Sequence, residues 1–266
     1  MRGVILAGGK GTRMAPCTNV TNKHLLPVYS PEGAVPMLFY PIRTLVSSGI
    51  HDILIVSSRE HCGHIIETLS DGYNFEADFS YKIQDCSRVQ MGIASALKLT
   101  RNFTNGETFA VILGDNYFED AFQVQFAGFE SLDPECAVIE SMGPEPFGWG
   151  ETETAGVFVK EVDDPERFGV ISGDESGWRI EEKPKQPESN LAVTGMYLYT
   201  PHVYEVADTL KPSARNELEI TDINNYYCNN NRIQVHTVKG FWSDMGTVSS
   251  MLRTQQFLEN NKQISR

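Results

Sequence analysis

The sequence predicts an α/β protein: a mostly parallel central sheet flanked by helices, followed by a partly antiparallel second half. Two observations carry this. In the first half, short apolar runs alternate with helix-like segments, the rhythm of parallel strands joined by crossover helices. From about residue 155, strand-like runs follow one another with only turn residues between them, which favours antiparallel pairing. The 266 residues, 41% hydrophobic and 21% charged, suffice to bury a sizeable core. No internal repeat or low-complexity linker interrupts them, so 1–266 reads as a single domain, divided near residue 150 into two halves.

The elements follow in order. Gly3–Leu6 is the first apolar run and leads straight into a glycine-rich loop. After Pro41, the residues Ile42, Leu45 and Val46 recur at helical spacing and stop at Gly49; Ile53–Val56 is then a β-branched run. Cys62–Ser70 and Ile93–Thr100 are helix-like, and Phe79–Ile83 and Phe109–Leu113 strand-like. In the second half, Gly156–Val162, Phe168–Ile171, Trp178–Glu181 and Ala192–Tyr199 read as strands. Two helix-like stretches, Glu217–Tyr227 and Val248–Glu259, complete the pattern. In open α/β sheets ligands bind beyond the carboxyl ends of the strands. The loops after Leu6 and Leu113 are therefore where chemistry is expected.

Bulk properties exclude several classes. No apolar run approaches the roughly 20 residues that span a bilayer, and the start is broken by glycine too early for a signal peptide. The formal net charge of −13 would repel a nucleic-acid backbone. Five scattered cysteines, none in a CxxC pair, read as free thiols of a cytoplasmic protein, with neither a zinc site nor a disulfide framework.

The strongest local signal is Leu6-Ala7-Gly8-Gly9-Lys10-Gly11-Thr12-Arg13, followed by Lys23-His24-Leu25-Leu26-Pro27. Closely spaced glycines let the backbone turn sharply and aim N–H groups at an anion. It is neither a GxxxxGK[ST] loop nor a GxGxxG loop, since Met14 stands where the last glycine of the latter would be. The glycines alone read equally as a structural turn; Arg13 and Lys23 point instead to phosphate, which a guanidinium can fork. By the same token Asp115, after the strand Phe109–Leu113, is by itself a turn residue, and Glu182-Lys183 a solvated charged turn.

Taken together these blocks resemble the sugar-1-phosphate nucleotidylyltransferases, and among them the glucose-1-phosphate thymidylyltransferases. Their GGxGTR loop and K-x-L-L-P stand here as Gly8 to Arg13 and Lys23 to Pro27. Leu113 to Asn116 is similar to LGDN, Asp164 to Val170 to DPERYGV, Glu181 to Pro184 to EEKP, and Val193-Thr194-Gly195 to VTG. Lys211 to Arg215, Glu217 to Asn224 and Trp242 to Gly246 continue in family order. The resemblance implies a Rossmann-like, GT-A-like nucleotidyltransferase sheet, with an NTP-binding half at about 1–150 and a sugar-phosphate-binding half at about 151–266. It implies NTP contacts from Leu6, Ala7, Gly8, Gly9, Gly11, Thr12, Arg13, Gln84, Gly92 and Asp115. Sugar-phosphate contacts would come from Asn116, Gly169, Glu182, Lys183, Val193, Thr194, Arg215 and Trp242. Arg13, Lys23 and Lys183 would be catalytic, and Asp115 and Asp244 would hold Mg²⁺. The partners implied are an NTP, dTTP first and UTP second, and a sugar 1-phosphate. A homo-oligomer, dimer or tetramer, and a place in nucleotide-sugar and polysaccharide biosynthesis also follow.

The chain departs from the family pattern in places. The family's base-reading glutamine and glycine lie five residues apart, whereas Gln84 and Gly92 are eight apart, so Gln90 is a rival for the glutamine's role. Phe168 replaces the tyrosine of DPERYGV. Met142–Thr154 has no family equivalent, and Ser30–Pro36 is an insertion lengthening a loop. The chain ends soon after Asp244 without the helical extension that carries an effector site in longer enzymes, so no separate effector site is expected. Two other readings share the scaffold. A non-catalytic nucleotide-sugar-binding regulator would lose the loop cation or a metal carboxylate, and a glycosyltransferase need not keep the GGxGTR loop or Lys23.

Overall fold

The computed structural model describes residues 1–9, 11–30, 33–85, 87, 91–123, 125–126, 153–174 and 177–262. At its centre lies β1 (Arg2–Ala7), flanked in parallel by β4 (Asp52–Ser58) and β6 (Phe109–Leu113), with Ile5 beside Ile55 and Ile112. β5 (Asp78–Gln84) extends the parallel set beyond β4. On the other side β11 (Leu191–Tyr199) pairs antiparallel with β6, β8 (Ala155–Glu161) and β9 (Gly169–Asp174). β10 (Gly177–Glu182) forms a hairpin with β9, and β12 (Ile233–Thr237) runs parallel to β8. The expected parallel first half and partly antiparallel second half thus join in one nine-stranded sheet among the described residues.

The central strands are apolar on both faces because both faces are covered. Along β1, Val4 and Leu6 enter one core cluster and Ile5 and Ala7 the other. The first cluster packs Ala94 and Leu97 of the helix Ile93–Lys98 and Ile223 and Tyr227 of the helix Ile220–Asn229. The second packs Ile42 and Leu45 of the helix Phe39–Ser47 and Ile65 of the helix Cys62–Leu69. Each buried aliphatic side chain stabilises the fold by about 1.5–3 kcal/mol.

Some elements escape the sequence pattern. In the segment read as a lengthened loop, Ser30–Pro36, the described residues instead belong to two antiparallel strands, β2 (Pro27–Ser30) and β3 (Gly33–Pro36). Val28 of β2 is fully buried with Met14, Met37, Tyr40 and Met245, and this small core fixes the strand pair. Two three-residue strands, β7 (Asn116–Phe118) and β13 (Trp242–Asp244), pair antiparallel with Asn116 opposite Asp244. They are too short to leave a period-two signal. The helix Val203–Thr209 and β12 were also not anticipated. The register of β11 on β8 shifts between Val193 and Tyr197, and Thr194 and Gly195 have no register partner on β8. Cys17, Cys62 and Cys228 are free thiols; Cys86 and Cys136 lie outside the described residues, as do Gln90 and all but the last two residues of Met142–Thr154. No helix among the described residues is long and apolar enough to cross a membrane.

Buried histidines make stability pH-dependent. His236 on β12 stacks on Phe158 at 4.9 Å, and neither ring nitrogen has a hydrogen-bond partner among the described residues. Burial lowers its pKa to about 4. The unfolded chain takes up the proton first, near the ordinary value of about 6.5. Stability from this group is therefore intact above that pH and is lost as pH falls toward 4. The slope is about 1.4 kcal/mol per pH unit. Thermal unfolding of wild type and His236→Phe between pH 7 and 4.5 should give a shallower decline in the variant. Parallel curves would contradict the assignment.

Candidate functional site

The polar groups gather beyond the carboxyl ends of β1 and β6, where the glycine loop and Asp115 emerge. Asp115 is 8% exposed, and both of its oxygens are engaged. Oδ2 accepts from Lys23 Nζ at 2.6 Å, and Oδ1 accepts from Asn116 Nδ2 at 3.0 Å. Burial pushes the Asp115 pKa upward, but the Lys23 charge and the two hydrogen bonds outweigh it and hold the group well below the ordinary carboxylate range. Lys23 itself lies on a 3-10 turn, Lys23–Leu25, capped by Asn22 Oδ1, which accepts the His24 N–H at 2.8 Å.

Asp244 arrives from the other half of the chain on β13, beside β7. Its oxygens accept from Arg167 Nη2 at 3.2 and 3.3 Å, and Arg167 Nη1 also reaches Asp164 at 2.6 Å. Burial raises the Asp244 pKa and the Asp115 charge raises it further, against the lowering effect of Arg167 and Arg13. The convergence is sharpest at Gly246. A Cβ there would lie 3.1 Å from Arg13 Nη2, 3.3 Å from Asp115 Oδ2 and 3.4 Å from Asp244 Oδ2. Two carboxylates that both approach Gly246 are a donor set suited to a hard divalent cation, which takes further ligands from water and phosphate oxygens. Among the described residues no group of three or more His, Cys, Asp or Glu could hold a metal.

The glycine loop opens opposite this pair. Leu6 and Ala7 are buried within β1, between β4 and β6, rather than open to a ligand. Thr12 and Arg13 are exposed on a 3-10 turn. Gln84, at the end of β5, is 7% exposed and donates from Nε2 to Gly92 O at 3.3 Å. Its Oε1 would stand 3.0 Å from a Cβ at Gly8. Gln84 therefore lies between Gly8 of the loop and Gly92 despite the longer spacing. Gly92 has φ +116°, and a Cβ would lie 2.3 Å from Leu218 O. Leu218 N–H donates to Met91 O at 2.8 Å, and Ala94 N–H to Leu218 O at 3.1 Å. The close approach that demands glycine is thus to the chain's own second half.

A second cluster centres on Glu182 at the end of β10. Glu182 Oε1 accepts from Lys183 Nζ at 2.8 Å and Arg215 Nη2 at 3.2 Å, and Oε2 from Thr221 Oγ1 at 2.7 Å. Burial opposes ionisation, but the contacts of Lys183, Thr221 and Arg215 hold the Glu182 pKa below its usual value. Lys183 N–H donates to Phe168 O at 2.9 Å, which links this cluster to Arg167. Gly169 lies beside it, a Cβ there standing 3.5 Å from Glu182 Oε2.

Other residues named from the sequence are placed differently. Thr194 is buried and donates to Phe158 O at 2.8 Å, and Val193 is also buried. Trp242 is buried, packs on Phe168 at 5.2 Å and donates from Nε1 to Asn116 Oδ1 at 2.8 Å. Sequence reasoning missed Arg167 and Thr221 as members of the site. Asp164 and Arg167 sit three apart inside the recognised DPERFGV block, a legible local pair; the bond to Asp244, 77 positions on, is purely tertiary.

The profile of the nucleotidyl transferase family matches residues 2–261. The chain is 37% identical to a glucose-1-phosphate thymidylyltransferase of Neisseria meningitidis, over 99% of this chain and 84% of the relative. It is 34% identical to the enzyme of that name from Mycolicibacterium smegmatis, over 97% of this chain and 82% of the relative. A Bacillus anthracis crystal structure in complex with sucrose, assigned as a glucose-1-phosphate thymidylyltransferase, superposes with a TM-score of 0.82 at 40% identity, covering 97% of this chain and 95% of the other. A UDP-glucose pyrophosphorylase complexed with UDP-glucose superposes with a TM-score of 0.76 at 25% identity, covering 98% of each chain.

The Gly92–Leu218 contact predicts a large stability loss for Gly92→Ala. A disfavoured backbone region costs about 1–3 kcal/mol before the carbonyl clash is added. Urea unfolding should show a lower midpoint at unchanged slope. A midpoint equal to wild type would mean the two segments are not held together as described.

Proposed function

The chain belongs to the nucleotidyl transferase family and is a sugar-1-phosphate nucleotidyltransferase, and we propose that it joins dTMP from dTTP to glucose 1-phosphate and releases pyrophosphate. The observation that carries this reading is the meeting of Asp115, Asp244 and Arg13 around Gly246, in front of the glycine loop and with Lys23 on Asp115.

In the proposed reaction a phosphate oxygen of glucose 1-phosphate attacks the α-phosphorus of dTTP in line. The new P–O bond forms as the bond to the β-phosphate oxygen breaks, and the electron pair leaves with pyrophosphate. The nucleophile is already an anion, so neither a covalent enzyme intermediate nor a general base is required. Positioning and charge stabilisation remain for the protein. Backbone N–H groups of Gly8, Gly9, Gly11 and Thr12 would face the triphosphate, and Arg13 and Lys23 would meet charge growing on the α-phosphate and bridging oxygens. Asp115 and Asp244 would hold Mg²⁺, which when bound neutralises the leaving pyrophosphate and helps align the α-phosphate.

The cation cluster at Glu182 would take the other substrate. Lys183 and Arg215 already converge on one carboxylate oxygen, and a sugar phosphate can draw the same donors onto its own oxygens. Glu182 would then remain as an acceptor for sugar hydroxyls, with Gly169 beside it offering backbone at the sugar's edge. Phe168 removes the hydroxyl that the family tyrosine brings.

For base choice, the Gln84 amide offers a donor and an acceptor that match the N3–H and a carbonyl of thymine or uracil. Cytosine lacks that N3–H, so one partner would go unpaired at a cost of about 1–3 kcal/mol. Gln84 beside Gly8 and Gly92 favours this residue over Gln90 for the role. Pyrophosphate release measured with dTTP, UTP, CTP, GTP and ATP should give the highest kcat/KM with dTTP and the next with UTP. Gln84→Ala should erode that ranking and Gln90→Ala should not. A preference for a purine nucleotide would overturn the proposal.

A further inference from the structure

Asn116 is 2% exposed and every contact it makes is directional. Its Oδ1 accepts two donors from the second half of the chain: Trp242 Nε1 at 2.8 Å and the Gly195 N–H at 3.0 Å. An indole nitrogen and a backbone N–H can only donate. The carboxamide therefore cannot be flipped, and Nδ2 must face the other way, where it meets Asp115 Oδ1 at 3.0 Å. Gly195 lies where the register of β11 on β8 shifts, and it has no register partner on β8. A Cβ at Gly195 would lie 2.6 Å from each of Cγ, Oδ1 and Nδ2 of Asn116, so the amide lies flat against a residue that has to be glycine. Asn116 is also the register partner of Asp244 in the β7–β13 pair.

We propose that Asn116 is the positioning residue of the metal pair: through Nδ2 it fixes the rotation of the Asp115 carboxylate, and through its backbone pairing it sets where Asp244 meets Asp115. Three separate segments, Asp115-Asn116, Thr194-Gly195 and Trp242–Asp244, are locked in one hydrogen-bonded unit around a single amide. Lys23 alone fixes one oxygen of Asp115 and leaves the plane of the carboxylate free to turn; the second bond from Asn116 removes that freedom. Partners of this kind, which orient a metal-binding group without touching the ion, typically change metal affinity or activity by about 10–100-fold when removed. The inference rests on the proposal that Asp115 and Asp244 hold the divalent cation.

The test uses MnCl₂ titrated by electron paramagnetic resonance into the sugar-free protein, with kcat and the KM for glucose 1-phosphate measured alongside. Asn116→Ala should weaken Mn²⁺ binding and lower kcat, each by about 10–100-fold, while the KM for glucose 1-phosphate moves far less. Gly195→Ala leaves Asn116 in place but pushes its amide aside, and should shift Mn²⁺ binding in the same direction; it also supplies the reading if Asn116→Ala does not fold. Unchanged Mn²⁺ affinity in both variants, or an effect confined to the KM for the sugar phosphate, would overturn the positioning role. Asp115→Ala separates the two levels. Mn²⁺ binding that survives its loss would reject the metal assignment itself and Asn116's role with it. Binding lost in Asp115→Ala but intact in Asn116→Ala would reject only the latter.

Discussion

The site depends on two carboxylates that the chain must bring together against their own repulsion. Asp115 follows a central strand and Asp244 a three-residue strand near the other end of the sequence. Each is largely buried, and burial alone would favour its neutral form. The fold resolves this by giving each its own cation, Lys23 for Asp115 and Arg167 for Asp244. Removing one partner of such a buried pair leaves an uncompensated charge, which is costly. Lys23 outweighs burial at Asp115 and holds it charged, whereas Asp244 keeps a raised pKa despite Arg167.

Around that pair the sheet supplies the rigidity. Parallel strands β4, β1 and β6 end together, so the glycine loop and Asp115 emerge side by side. The antiparallel half delivers its parts through irregularities. Where the register of β11 on β8 shifts, the Gly195 N–H donates to Asn116, and the short β7–β13 ladder carries Asp244. The strap at Gly92 and Leu218 joins the segment that would read the base to the loop bearing Arg215. The regions proposed for the two substrates are thus tied through backbone as well as side chains.

Much of this was legible in the sequence. The long apolar runs gave their strands within a residue or two because both faces are buried, and the helices of the first half kept a clear period. Asp115, Lys23 and Gln84 could be named through the blocks that resemble the family; by its local setting alone Asp115 reads as a turn residue. Other features were not legible. β7 and β13 are three residues each, too short for periodicity, and the strand pair β2–β3 resembled a polar loop because only Val28 of its first strand faces a core. Arg167, Thr221 and the Asn116 network depend on residues far apart in sequence, whose meeting only the tertiary fold determines. The buried state of Trp242 and Thr194 also has no local signature.

A double-mutant cycle on Asp115 and Asp244 tests the central claim most directly. kcat/KM for pyrophosphate release would be measured at saturating Mg²⁺ in wild type, Asp115→Asn, Asp244→Asn and the double variant. If both carboxylates serve one cation, the double variant is barely worse than the more damaged single variant, since residues acting as a unit are strongly non-additive. Losses that multiply across the two positions would show that Asp115 and Asp244 act independently, and would contradict the account.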